Sequence, residues 1–190
     1  MDRRQLIKNI ALLTGAAVAG SEFFLSGCRN ADQPLAGLFT AKDISFFDEV
    51  AEAILPKTDT PGAKDAEVGK FMASYSTDCY NEAQLKALKD GISKLNEAAE
   101  KKYNTGFAGL DTSQKQELLT SIDAEAKEYA KRGDQSKTEQ PPHYFTLMKQ
   151  MVLLGFFTSK PGVTKVLRWI PVPGKYLGCI DYKEGETAWV

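Results

Sequence analysis

Between His143 and Ser159 the chain reads HYFTLMKQMVLLGFFTS. Tyr144, Phe145, Leu147, Met148, Met151, Val152, Leu153, Leu154, Phe156 and Phe157 are all apolar or aromatic. At 3.6 residues per turn these positions leave no polar stripe. A helix without a polar face has to be surrounded by other elements, so this segment belongs at the centre of whatever the chain folds into.

The preceding sequence supplies the surround. Thr40 with Asp43 reads as a capping-box-like pair, and Ile44, Phe47, Val50, Ala51, Ile54 and Leu55 then recur at helical spacing up to Pro56. KTDTPGAK (57–64) is punctuated by Pro61-Gly62 as a loop. Val68, Phe71, Met72, Tyr75 and Cys79 share one face of a second helix. Asn81 with Gln84 caps a third, with Leu85, Leu88, Ile92, Leu95 and Ala99 inward. After the loop TGFAGLD (105–111), Asp111 with Gln114 caps a fourth, carrying Leu118, Leu119, Ile122, Ala126 and Tyr129. The polar stretch RGDQSKTEQPP (132–142) then leads into the apolar helix. Strand-like alternation is almost absent and β-branched residues are sparse, so the expected fold is all-α, a bundle of five to six helices.

Residues 161–190 differ. Pro161-Gly162, Pro171, Pro173-Gly174, Gly178 and Gly185 punctuate them, yet Trp169, Tyr176, Ile180, Tyr182 and Trp189 remain. Disordered tails lack aromatics. This Pro/Gly-rich aromatic tail, which holds both tryptophans of the chain, is expected to wrap over a surface, its own or a partner's.

The opening MDRRQLIKNIALLTGAAVAGSEFFLSGC has a signal-peptide layout: Arg3, Arg4 and Lys8 head an apolar run that meets no acid until Glu22. Arg3-Arg4 followed by Leu6, Ile7 and Lys8 resembles a twin-arginine export signal. Leu25-Ser26-Gly27-Cys28 resembles the lipobox of bacterial lipoproteins, in which the chain is cut before a cysteine that carries lipid. The 16 residues from Ile10 to Leu25 make a helix of roughly 24 Å, short against a bilayer core of about 30 Å. Three segments follow: 1–27 as a twin-arginine-type lipoprotein signal peptide, 28–38 as a linker after a lipidated Cys28, and 39–190 as a single helical domain. An uncleaved N-terminal anchor helix is the alternative, and either reading places the domain outside the cytoplasmic membrane. Acyl burial at about 0.8 kcal/mol per methylene would hold it there.

Without residues 1–27, Arg3, Arg4 and Lys8 are lost against Asp2 and Glu22, leaving 21 basic and 23 acidic residues, a net charge of −2. Those charges are mixed along every segment, so no basic stripe is present to neutralise nucleic-acid phosphates. Cys79 and Cys179 remain besides Cys28. In an oxidising compartment they are candidates for a disulfide, for separate buried thiols, or for a bridge to another subunit.

Chemistry-bearing motifs are missing. The sequence has no G-x-G-x-x-G, no phosphate-binding P-loop, no G-x-S-x-G elbow and no H-E-x-x-H. Two cysteines and the single His143 cannot make a four-ligand zinc site. Acid pairs such as Asp48 with Glu52 and Glu125 with Glu128 read as solvated helix faces. No catalytic, cofactor-binding or metal-binding residues are therefore assigned.

Four blocks, AILPKTDTPGAKDAEVGKFM (53–72), DCY (78–80), HYFTLMKQMVLLGFFTSKPG (143–162) and PVPGKYLGCIDYKEGETAW (171–189), resemble the gluconate 2-dehydrogenase subunit 3 family. The resemblance implies a small, non-catalytic subunit that carries the export signal for a large flavin-containing dehydrogenase of the glucose-methanol-choline type. It further implies FAD in that partner, none in this chain, and a cytochrome c haem in a third subunit. The lipobox departs from members with a plain signal and implies a membrane tether on a periplasmic lipoprotein. Trp169, Tyr176, Tyr182 and Trp189 are the expected interface anchors, with the Pro56–Lys64 loop as a second contact. Two rivals stand beside this reading. One is a stand-alone lipid-anchored helical binding protein with an apolar cavity. The other is an enzyme built on His143 or the Cys79 and Cys179 pair.

Overall fold

The computed structural model describes residues 5, 38–132, 140–172, 174–175 and 178–190. The chain divides into two units, Met1–Ala36 and Gly37–Val190, and the second is the one described below. Its α-helices are α1 (Ala41–Ile54), α2 (Val68–Cys79), α3 (Glu82–Tyr103), α4 (Thr112–Arg132) and α5 (Tyr144–Thr158). A 3-10 turn, Phe107–Gly109, and a π-helical turn, Gly162–Val166, complete it. No strand forms among the described residues, and the all-α expectation holds.

Short-range chemistry starts three of these helices. The Thr40 side chain accepts from the Asp43 N–H at 3.3 Å while the Asp43 carboxylate accepts from the Thr40 N–H at 2.7 Å. Asn81 and Gln84 exchange the same pair of bonds at 2.9 and 3.1 Å, and Asp111 and Gln114 at 2.8 and 3.2 Å. Each box satisfies two backbone donors that a helix start otherwise leaves open. α3 ends on Asn104 in the left-handed conformation, with Lys101 and Lys102 in its last turn, where cations face the negative end of the helix dipole.

α5 is the hub, packing against α1, α2, α3, α4 and the π-helical turn. Phe145, Leu147, Met148, Met151, Val152 and Phe156 are buried along it, against Phe47, Val50, Val68, Met72, Leu88, Leu95, Leu118 and Ile122 from its neighbours. Each such side chain contributes about 1.5–3 kcal/mol when fully withdrawn from water. Two small residues set the spacing. A Cβ at Gly91 would strike the Tyr144 ring, and one at Gly155 the Phe71 ring, so α3 and α2 approach α5 closely only because these positions are glycine. The 105–111 loop also reaches the core, because Phe107 and Leu110 are buried and Asn96 accepts from the Phe107 N–H at 3.1 Å.

Three helix faces differ from the sequence expectation, and in α4 the difference is that Tyr129 is exposed while Leu118, Leu119, Ile122 and Ala126 are buried. In α2 the buried set is Val68, Gly69, Met72, Ala73 and Ser76, while Cys79 is exposed. In α5 the surround is incomplete: Leu153, Leu154 and Phe157 are about two-fifths exposed, on a stripe roughly 100° wide at 3.6 residues per turn. Apolar type alone does not tell a core face from a face covered by something else.

Candidate partner interface

The C-terminal segment starts at Pro161-Gly162, just after α5 ends at Thr158. There the chain makes one wider turn, with the Leu167 N–H donating to the Gly162 carbonyl at 3.1 Å. Beyond Gly162 no described residue is buried. Apart from Tyr129, every exposed large apolar side chain among the described residues lies between Leu153 and Val190.

This exposed segment is nevertheless fastened. The Arg168 N–H donates to the Ala188 carbonyl at 2.8 Å, and the Val190 N–H donates to the Arg168 carbonyl at 3.3 Å. The Arg168 guanidinium lies 4.6 Å from the centre of the Trp189 ring and 3.7 Å from the Glu186 carboxylate. Glu186 is presented by a turn in which its N–H bonds the Lys183 carbonyl at 3.2 Å, with Gly185 at φ +84°. Only glycine takes that conformation at little steric cost.

Among the anchors expected from sequence, Trp169 and Trp189 are each 49% exposed and Tyr182 is 86% exposed. Tyr176 lies outside the described residues, as do Arg3, Arg4 and Cys28. Trp189 differs from the others, because one face of its ring already holds Arg168.

The 57–64 loop is held by α1. Glu52 accepts from the N–H groups of Lys57 and Lys64, both at 2.9 Å, and Asp48 accepts from the Gly69 N–H at 2.9 Å. Asp48 and Glu52 are therefore not the solvated pair the helical pattern indicated; they are backbone clamps whose partners lie up to 21 residues away. Burial raises the Asp48 carboxyl above its ordinary value despite the Gly69 N–H and the Lys64 ammonium. At the loop's far side, Asp65 is held below the ordinary range first by its hydrogen bond from Lys57, then by the Gly62 N–H, with a smaller contribution from Lys165. Lys165 belongs to the π-helical turn. The loop and the start of the C-terminal segment are thus electrostatic neighbours.

The other residues singled out in the sequence do not converge. Cys79 and Cys179 are exposed free thiols, and the intramolecular pairing is not made in this structure. His143 sits at the start of α5, where Nδ1 accepts from the Phe145 N–H at 3.3 Å. The rings of Tyr129 and Tyr144 flank it, with centroids at 5.6 and 4.3 Å. Burial lowers its pKa, opposed by Glu125 and aided by Lys94. The grooves beside it, of about 310 and 500 Å³, are open and carry lysines and carboxylates as well as ring faces. Glu125 and Glu128 are exposed, as read from their helix face. Among the described residues no group of three His, Cys, Asp or Glu side chains could hold a metal ion, and no helix is long and apolar enough to cross a membrane.

Sequence reasoning missed the open stripe on α5 and the Arg168 fastening. Arg168 stands 21 positions from Trp189, beyond any local pattern.

The family described as gluconate 2-dehydrogenase subunit 3 matches residues 41–174. No match is found among curated proteins or solved structures. The matched stretch runs from the first turn of α1, through the clamped loop and the hub helix, into the fastened segment. The chain belongs to the gluconate 2-dehydrogenase subunit 3 family.

Proposed function

We propose that this chain is the non-catalytic small subunit of a periplasmic dehydrogenase complex, bound to a large flavoprotein that carries FAD and oxidises a sugar or polyol. A flavoprotein that acquires FAD in the cytoplasm folds there. If it has no signal of its own, it crosses the membrane only while held by a chain that has one. The Arg3-Arg4 head would supply that signal, and a lipidated Cys28 would tether the assembly afterwards. Electrons would leave through a cytochrome c subunit.

The observation that carries the reading is the concentration of exposed apolar side chains between Leu153 and Val190 in a member of a family named as a dehydrogenase subunit. A binding surface that survives transit needs an interface of standard size, about 1,600 Å² in total. Trp169 and Tyr182 are residues of the type that dominates such interfaces.

Co-expression of the chain, without residues 1–27, with the large flavoprotein of the proposed complex tests the reading. Co-purification as a yellow complex is expected, with the chain alone colourless and inactive. Failure of the two to associate would remove the proposal. FAD, haem or turnover in the chain alone would remove its non-catalytic part.

A further inference from the structure

Among the described residues, nothing after Gly162 is buried, so the C-terminal segment adds little to the core of the bundle. Yet it is tied at its ends by two backbone hydrogen bonds, a guanidinium-ring contact and an ion pair, all made by Arg168. Ordering a backbone costs about 1–2 kcal/mol per residue. Ordering that does not serve the core is explained if the segment is being presented to something else.

The exposed area has the right scale. With roughly 200 Å² per aromatic side chain, the open fractions of Trp169, Tyr182 and Trp189 leave on the order of 370 Å². That is nearly half of the roughly 800 Å² that one partner gives to a standard interface. The charges argue for a protein and not a lipid surface as occupant. Asp181, Glu184 and Glu186 are interleaved with the rings and balance Arg168, Lys175 and Lys183, and Arg168 is already committed to Glu186 and the Trp189 ring, whereas segments that lie on anionic membranes carry an excess of Lys and Arg.

We infer that Arg168 is a positioning residue that fastens residues 186–190 back to the start of the C-terminal segment, and so pre-forms the docking surface of Trp169, Ile170, Val172, Ile180, Tyr182 and the open face of Trp189 for the large flavoprotein subunit. This inference rests on the subunit reading above. Its physical basis is that a surface ordered before binding loses less entropy on association than one ordered by it.

The test uses the co-expressed complex and the chain alone. Both tryptophans lie in the fastened segment, so intrinsic tryptophan fluorescence of the isolated chain reports on it alone. Arg168→Ala is expected to lower the tryptophan anisotropy, leave the helical melting transition unchanged, and weaken binding to the flavoprotein about tenfold or more. Arg168→Lys, which keeps the charge facing Glu186 but not the planar contact with Trp189, should fall between. Tyr182→Ala, at an exposed site where misfolding is not a concern, should weaken binding without changing the anisotropy of the free chain.

If the wild-type chain binds the flavoprotein and Arg168→Ala binds equally well, the positioning role is overturned while the subunit reading stands. If the wild-type chain does not bind, the subunit reading itself fails. Self-association of the chain that Tyr182→Ala abolishes, or retention on phosphatidylglycerol vesicles without the flavoprotein, would overturn the assigned occupant.

Discussion

At the scale of single residues, His143 is the single histidine of the sequence, and the structure gives it a helix to cap. The bond to Phe145 needs the Nδ1 lone pair, which protonation removes while placing a positive charge at the positive end of the α5 dipole. Burial holds the folded-state pKa below the ordinary 6.5. The unfolded chain therefore takes up its proton first, and the stability is present above pH 6.5 and lost as pH falls from there through the lowered folded value. Thermal melts of wild type should show that slope. His143→Asn should keep the cap and abolish the slope, and His143→Ala should cost about 0.5–1 kcal/mol at neutral pH. Glu67 is a second local anomaly, a non-glycine residue at φ +51° in front of α2. Its ion pair with Lys70 is exposed and worth little. Glu67→Gly should raise stability by up to about 1 kcal/mol in chemical denaturation, and a loss greater than that would mean the carboxylate matters more than the backbone.

Among the elements, helix starts were legible because their chemistry spans three residues. Thr40 with Asp43, Asn81 with Gln84 and Asp111 with Gln114 each form the box their spacing predicts. The central place of α5 was legible too, because its lack of a polar stripe permits nothing else. The clamps were not. Glu52 looks like any acid on a polar face, and its role depends on a chain reversal at Pro61-Gly62 that brings Lys64 back across twelve residues. Glu52→Ala leaves two loop N–H groups without a charged acceptor and should cost about 1–2 kcal/mol, with faster hydrogen exchange at Lys57 and Lys64. Glu49 joins three elements in the same way, because its carboxylate meets Lys64 at 2.6 Å and Lys115 of α4 at 2.8 Å. Burial pushes its pKa up, but the hydrogen bonds from Lys115 and Lys64 outweigh that and hold it below 4.5. The stability it contributes is thus present above pH 4.5 and lost as pH falls through the lowered value. Glu49→Gln should flatten that acid limb of the melting curve while leaving the slope due to His143 intact.

At the scale of the molecule, among the described residues, 38–162 hold the buried core, and those beyond hold seven of the eleven exposed large apolar side chains. Sequence could say that the tail keeps too many rings to be disordered, but not how its two ends meet at Arg168, since that contact joins residues about twenty positions apart with no periodic signal. The division has a thermodynamic consequence. Among the described residues, deleting 168–190 removes no buried side chain, so the melting free energy of the isolated bundle should change by no more than about 0.5 kcal/mol, as for surface changes in general. Binding behaves differently. A partner that recognises only the folded chain stabilises it by RT ln(1 + [L]/Kd), about 2.7 kcal/mol at a hundredfold excess over Kd. With the flavoprotein at that excess, the intact chain should gain about that much while the shortened chain gains little. Hydrogen exchange in α1 to α5 reads both, because that core is common to the two forms. Equal gains would place the docking surface on the bundle, with the open stripe of Leu153, Leu154 and Phe157 as the remaining apolar candidate.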